Sequence, residues 1–133
     1  MLRDDPLGQL REHMGGGIHP DYQAAFDAID RDPCQRLFIL DVDGRIAGCY
    51  QLTFVPGLSR KGSWRAMIES VRVHSEFRDA GYGRQMVEHG IAQARAKGCG
   101  LVQLTSDKSR KDAIRFYERL GFVASHEGLK LNL

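Results

Sequence analysis

Among the acidic, histidine and tyrosine side chains of this 133-residue sequence, Glu69 and Tyr117 are two candidates for moving a proton during a reaction. Glu69 lies in a run of residues that predicts a β-strand, and its carboxylate can accept a proton directly or through water. Tyr117 lies in the apolar stripe of a predicted helix, and its hydroxyl can donate one. Each residue also has a simpler explanation, as an exposed or ion-paired strand carboxylate and as a core aromatic residue respectively.

A glycine-containing segment between a predicted strand and a predicted helix has the features of an anion-binding turn. It reads Arg78-Asp79-Ala80-Gly81-Tyr82-Gly83-Arg84. Two residues without a Cβ let the chain bend tightly, so backbone N–H groups can converge at the positive end of the following helix. The spacing differs from the Gly-x-Gly-x-x-Gly dinucleotide motif, and the turn has the right size for a pyrophosphate.

Alternating strand and helix patterns surround these residues. They predict a helix at Pro20–Asp30, a hairpin within residues 36–55 that turns at Asp43-Gly44, a strand at Trp64–Val73, a helix from about Gly83 to Lys97, a strand at Leu101–Thr105, a helix ending at Leu120, and a closing hairpin of Phe122–His126 with Leu129–Leu133. The fold class is therefore α/β, a mixed sheet with helices on its faces.

Composition predicts one globular domain over residues 1–133. A net charge of +2 is too small to indicate nucleic acid as a partner. No apolar run approaches the length of a membrane span, so we expect no membrane partner and a soluble, cytoplasmic protein. The three cysteines lack metal-ligand spacing, which predicts reduced thiols, with Cys49 and Cys99 buried as small apolar residues. The five histidines show no metal-ligand spacing either, so we expect no metal.

The strand, Arg-x-x-Gly-x-Gly turn and helix are followed later in the chain by a second motif, Ala113-x-x-Phe116-Tyr117-Glu118-Arg119-Leu120-Gly121-Phe122. Together the two motifs resemble the GNAT superfamily of acetyl-CoA-dependent N-acetyltransferases. The resemblance covers the chain from about Pro20 onwards. It implies a GNAT-like fold, whose central sheet is splayed and flanked by helices, with the N-terminal strand and first helix shortened here.

The resemblance also assigns roles to residues. The segment Arg78–Arg84 would bind the coenzyme A pyrophosphate through its backbone, and the backbone of Val71 and Val73 would pair with the pantetheine arm. The N–H of Val71 would polarise the acetyl oxygen. Glu69 would be the general base, and Tyr117 would protonate the departing coenzyme A thiolate.

Arg72 and Arg110 are two further positions that bear on these roles. Period-two alternation predicts that Glu69, Val71 and Val73 share one strand face, with Arg72 on the other as a structural or acceptor-facing residue. Arg110 stands where many family members have an asparagine, so a contact between the start of the last helix and the coenzyme would be made differently.

The activity implied is direct transfer of acetyl from acetyl-CoA to a primary amine in a ternary complex. Two alternatives stay open: a non-catalytic acyl-CoA-binding sensor or interaction module, and a protein acetyltransferase acting on lysine or an N-terminus. Arg60 and Lys61, in the loop before the strand Trp64–Val73, suggest an acceptor with an anionic group. Homodimers are common in the superfamily, so a homodimer is the candidate assembly.

Overall fold

The computed structural model describes Gly17 and residues 19–133. The main helices and strands are α1 (Pro20–Arg31), β1 (Gln35–Val42), β2 (Arg45–Val55), β3 (Arg65–Val73), α2 (Tyr82–Ala96), β4 (Leu101–Gln103) and α3 (Lys111–Arg119). Two short helical segments, Ser59–Gly62 and Ser75–Phe77, precede and follow β3. This order confirms the predicted one as far as Leu120, although β4 is two residues shorter than expected. The predicted shortening of the N-terminal strand and first helix lies outside the described residues.

The four strands form one mixed sheet in the order β1-β2-β3-β4. The first two pairs are antiparallel, whereas β3 and β4 are parallel. Pairing between β3 and β4 extends only from Arg65↔Leu101 to Met67↔Gln103. Because β3 is nine residues long, its second part, Ile68–Val73, continues without β4 beside it. The splayed central sheet is therefore confirmed.

The hairpin between β1 and β2 turns where the sequence predicted. Asp43 and Gly44 have φ angles of 52° and 77°, the combination that a two-residue turn needs to match the twist of its strands. The N–H of Gly44 donates to Asp41 Oδ1 at 2.9 Å, which closes the turn. Local turn chemistry thus sets the register of the pairs next to the turn, and the register shifts between Asp41 and Leu40.

Helix α2 packs against the sheet and builds the core. The buried hydrophobic residues come from β2, β3 and α2: Ala47, Tyr50, Leu52, Phe54, Ala66, Ile68, Met86, Val87 and Ala94. Helix and sheet approach closely at Gly90, where a Cβ would lie 2.9 Å from Ile68 Cδ1. This contact fixes α2 against β3 and so fixes the direction in which the N-terminus of α2 points.

The predicted closing hairpin is wrong. Neither Phe122–His126 nor Leu129–Leu133 forms a strand. Leu129 and Leu131 are 95% and 86% exposed, so no core contact favours a strand there. The sheet edge at β4 is only three residues long, and a two-stranded hairpin is marginally stable without a sheet to join.

Candidate active site

The turn between β3 and α2 leaves backbone donors unused by the helix. Gly81 is the N-cap of α2 and has a φ of 83°, a left-handed conformation that glycine adopts without steric penalty. Asp79 is also left-handed, with φ 63°. The N–H of Gln85 donates to the carbonyl of Gly81 at 3.1 Å. The N–H groups of Tyr82–Arg84 therefore precede the first intrahelical bond, and they lie at the positive end of the helix dipole.

Space beside this turn is open on one side and closed on the other. A Cβ at Gly81 would meet no atom within 4 Å. A Cβ at Gly83 would lie 3.7 Å from both Phe116 Cζ and Val73 Cγ2. The turn is thus seated on α3 and the end of β3 through Gly83, while Gly81 borders free space that side chains do not fill. An anion the size of a diphosphate fits this arrangement.

Side chains hold the approach to the turn in place. The Arg78 guanidinium donates from Nε to the carbonyl of Val73 at 3.3 Å, which folds the turn back onto β3. Arg45 pairs with Glu76 and lies 4.9 Å from the centre of the Phe77 ring. The hydrogen bond and the charge of Arg45 lower the pKa of Glu76. These contacts tie the segment before the turn to the start of β2.

A β-bulge interrupts the pairing of β2 with β3. Cys49 pairs with Arg72, but Gln51 pairs with Glu69. One residue of β2 therefore lies opposite two residues of β3. Ser70, one of these two, has a φ of 53°, the left-handed conformation found at the first position of one common bulge type. The bulge changes the alternation of side chains along the second part of β3.

The bulge places Glu69 and Arg72 on the same face of the sheet. Their cross-strand partners are two residues apart on β2, and residues two apart in a strand share a face. Val73 pairs with Gly48, on the opposite face. Val71 lies two residues from Val73 in the same strand, so its side chain lies on the face of Val73. The prediction that Glu69 shares a face with Val71 and Val73 is therefore wrong, because it assumed a regular strand.

The environment of Glu69 suits a group that meets solvent and substrate. The residue is exposed, on the face turned away from α2. Pairing with β4 ends at Met67. Among the described residues, no strand pairs with Ile68–Val73 on the edge of β3 that faces away from β2. The backbone of Val71 and Val73, which the resemblance assigned to the pantetheine arm, belongs to this part of β3, which pairs with β2 on its other edge.

Tyr117 lies half-buried on α3. Its ring contacts Phe116 and Phe122 edge to face, with centroid distances of 5.1 and 5.9 Å. Burial raises the pKa of Tyr117, and the positive charges of Arg110 and Arg72 act in the opposite direction. The phenol therefore stays protonated at neutral pH and can donate a proton. Arg72, which shares the face of Glu69, is thus one of two cations whose charge acts on the Tyr117 phenol.

The structure brings most of the predicted site residues to one region. The turn, the end of β3 and α3 meet around Gly83, and Tyr117 follows directly after the α3 residue in that contact. Arg110 is the N-cap of the same helix. The position of Arg72 on the face of Glu69 could not be predicted from regular alternation, because it depends on the pairing register of β3 with β2.

Arg60 and Lys61 lie elsewhere. They occupy a left-handed turn, with φ of 54° and 60°, and both are exposed. This turn precedes Arg65, at the opposite end of β3 from the glycine turn. Glu69 is four residues into the strand from Arg65, or about 13 Å at the usual rise per residue.

No group of three or more histidine, cysteine, aspartate or glutamate residues within residues 19–133 is arranged to hold a metal ion. No helix in the same part of the chain is both long and apolar enough to cross a membrane.

Comparison with known sequences identifies relatives of this protein. The sequence profile of the acetyltransferase (GNAT) family matches residues 7–122. Glucosamine 6-phosphate N-acetyltransferase of Trypanosoma brucei brucei is 36% identical over 98 residues, which are 74% of this chain and 65% of that protein. Aminoalkylphosphonate N-acetyltransferase of Salmonella typhimurium is 30% identical over 109 residues, which are 80% of this chain and 70% of that protein. The chain thus spans slightly less than two thirds of the first relative.

Comparison with solved structures gives a close match of the fold. The crystal structure of a transcriptional regulator from Bacillus halodurans C-125 is 48% identical in sequence and superimposes with a TM-score of 0.96. The match covers all of this chain and 89% of that one.

Proposed function

Because the chain belongs to the acetyltransferase (GNAT) family, we propose that it transfers acetyl from acetyl-CoA to a primary amine in a ternary complex. One observation carries the proposal: the open turn at Gly81 leads directly to the unpaired edge of β3. A diphosphate at the turn and an acyl chain along that edge would place a thioester beside β3.

Cosubstrate binding would use the backbone for the most part. The N–H groups of Tyr82, Gly83 and Arg84 would donate to the diphosphate, with the dipole of α2 favouring its negative charge. The free edge of Ile68–Val73 offers N–H and C=O groups to the amide-containing pantetheine arm, in the way that one strand pairs with another.

Glu69 would activate the amine. An aliphatic ammonium group has a pKa near 10.4, so it must lose a proton before its nitrogen can attack. The exposed Glu69 carboxylate would accept that proton, directly or through a water molecule. The nitrogen then bonds to the acetyl carbon, while the N–H of Val71 would stabilise the negative charge that develops on the acetyl oxygen.

Tyr117 would complete the reaction. When the carbon–sulfur bond breaks, the electron pair stays on sulfur, and the Tyr117 hydroxyl would donate its proton there. Its raised pKa keeps that proton available at neutral pH. The nearby charges of Arg72 and Arg110 favour both the developing thiolate and the phenolate that remains.

The acceptor would carry a negative charge as well as an amine. The two curated relatives are named for an amino sugar phosphate and for aminoalkylphosphonates. Arg72, on the face of Glu69, supports an anionic group on the acceptor, because an acceptor that reaches Glu69 from this face also passes the guanidinium. Arg60 and Lys61 are the alternative contact.

A thiol-release assay tests the proposal. The purified chain would be given acetyl-CoA and a panel of amines, including amino sugar phosphates, aminoalkylphosphonates, their uncharged counterparts and a lysine peptide. We expect free coenzyme A to appear fastest with the phosphate- or phosphonate-bearing amines. If none of the amines in the panel caused coenzyme A to be released, the result would contradict catalysis. A preference for uncharged amines would contradict the proposed class of acceptor.

A second candidate is an acyl-CoA sensor without catalysis. It is favoured by the 48% identity to a protein described as a transcriptional regulator. A sensor would bind acetyl-CoA in a calorimeter but release no thiol with any amine, so the two experiments together separate it from the enzyme.

A further inference from the structure

A cavity of about 270 Å³ lies between α2 and α3, away from the sheet. Its lining residues are Arg84, Glu88, Ile91, Arg95, Arg119 and Leu120. The first four lie in a stripe along α2. Arg119 is the last residue of α3, and Leu120 comes directly after it. The volume lies below the usual range of about 300–1,000 Å³ for drug-sized ligands, so the cavity suits a small group and not a whole cofactor.

The charge of the lining favours an anion. Three guanidinium groups surround the cavity, with one carboxylate. Glu88 accepts a hydrogen bond from Arg84 Nε at 2.7 Å. Within residues 19–133, Arg95 and Arg119 have no such ion pair, which leaves two positive charges uncompensated. Guanidinium groups bind phosphate with planar, paired hydrogen bonds, so a phosphate is a suitable occupant.

The cavity begins where the glycine turn ends. Arg84 contributes its N–H to the donors at the start of α2 and its side chain to the cavity wall. A ligand held at the turn by its diphosphate would therefore have the cavity beside it. Coenzyme A carries such a diphosphate and, one ribose further on, a phosphomonoester at the ribose 3′ position.

We propose that Arg95 and Arg119, with Arg84, form a subsite that binds the 3′-phosphate of coenzyme A and makes the protein select acetyl-CoA over its dephosphorylated form. The inference rests on the proposed function, since it requires coenzyme A at the turn. The phosphomonoester carries a charge close to −2 at neutral pH, which matches the uncompensated charge of the two arginines.

Calorimetric titration of the full chain with coenzyme A and with dephospho-coenzyme A tests the subsite, since the two compounds differ only in this phosphate. We expect coenzyme A to bind about tenfold more tightly at low salt, because exposed charge pairs each add a modest amount. The advantage should shrink as the salt concentration rises.

Matched variants locate the effect. Arg95→Gln/Arg119→Gln should abolish the difference between the two compounds and leave the affinity for dephospho-coenzyme A unchanged. Arg31→Gln/Arg36→Gln removes the same charge at exposed positions outside the cavity, and it should retain the difference. The turn and the residues with proposed catalytic roles are intact in both variants.

The outcomes separate this inference from the proposed function. Equal, measurable affinity of the wild-type chain for both compounds would overturn the subsite but leave the turn as the coenzyme site. Binding of neither compound would overturn both. Inorganic phosphate should weaken coenzyme A binding more than that of dephospho-coenzyme A, because phosphate can compete with both compounds at the turn but only with coenzyme A in the cavity. Phosphate that binds without weakening coenzyme A would show a separate anion site and overturn the inference.

Discussion

Glu69 and Arg72 project from the same face of the sheet, although three positions separate them and a regular strand would place them on opposite faces. The left-handed conformation of Ser70 makes the difference, because the bulge adds one residue to β3. A carboxylate and a guanidinium thus lie on one face, beside the edge where β4 has ended.

Substitutions at Ser70 test the bulge. Ser70→Gly should leave the free energy of unfolding nearly unchanged, whereas Ser70→Val should lower it by about 1–3 kcal/mol, because a β-branched residue resists positive φ. Urea denaturation measures both. Since Ser70 is exposed, burial does not confuse the comparison. Equal stability of the two variants would argue against the left-handed conformation.

Glu69→Gln tests the general base. If Glu69 takes the proton from the amine, the variant should lose about 10²- to 10⁴-fold in turnover, with the largest loss at neutral pH, where the free amine is scarce. The measurement is kcat as a function of pH. Glu127→Gln, at an exposed carboxylate paired with Lys108, is the control and should behave as wild type. An unchanged pH–rate profile in Glu69→Gln would count against the role.

Tyr117→Phe tests the general acid. The ring and its contacts with Phe116 and Phe122 are retained, so acetyl-CoA affinity should stay nearly the same while kcat falls by about 10²-fold or more. Steady-state kinetics and a binding titration provide the two numbers. Full turnover in the variant would remove the tyrosine from the mechanism.

Tyr50 predicts a pH dependence of stability. Burial raises its pKa to about 12, and its hydroxyl lies 2.6 Å from His89 Nδ1. A raised pKa gives a contribution that is complete below the unfolded value, about 10, and is lost as the pH rises towards 12. Tyr50→Phe should lower the free energy of unfolding by about 1 kcal/mol at neutral pH. The difference should shrink at about pH 11. A constant difference would contradict the assignment.

Sequence patterns predicted the parts of the fold that depend on local chemistry. Asp43-Gly44 defines its turn through the conformations that these two residues accept. The glycines at 81 and 83 likewise marked the open turn before α2. Both signals lie within a few residues, and the structure confirms where they place a turn.

Features that depend on distant partners were missed. The residues around Ser70 read as a regular alternating strand, because the extra residue shows only in the pairing with β2. Leu129–Leu133 has a strand-like pattern, but β4 offers too short an edge for it to join. Arg119 is far in sequence from Arg84 and Arg95 of α2, and it joins them at the α2–α3 cavity only when the two helices pack.

The central claim is that acetyl-CoA binds at Gly81, and Gly44 provides a matched control. Both glycines are left-handed, with φ of 83° and 77°, and a Cβ at either would meet no atom within 4 Å. Alanine therefore introduces the same backbone strain at both positions, but only Gly81 borders the proposed diphosphate site.

Calorimetric titration with acetyl-CoA would compare wild type, Gly81→Ala and Gly44→Ala. We predict binding of one acetyl-CoA per chain to the wild type, a similar affinity for Gly44→Ala, and an affinity lower by about tenfold for Gly81→Ala, because a Cβ there would keep the diphosphate from the backbone donors. Absence of binding to the wild type at millimolar acetyl-CoA, or equal affinity of all three proteins, would contradict the account.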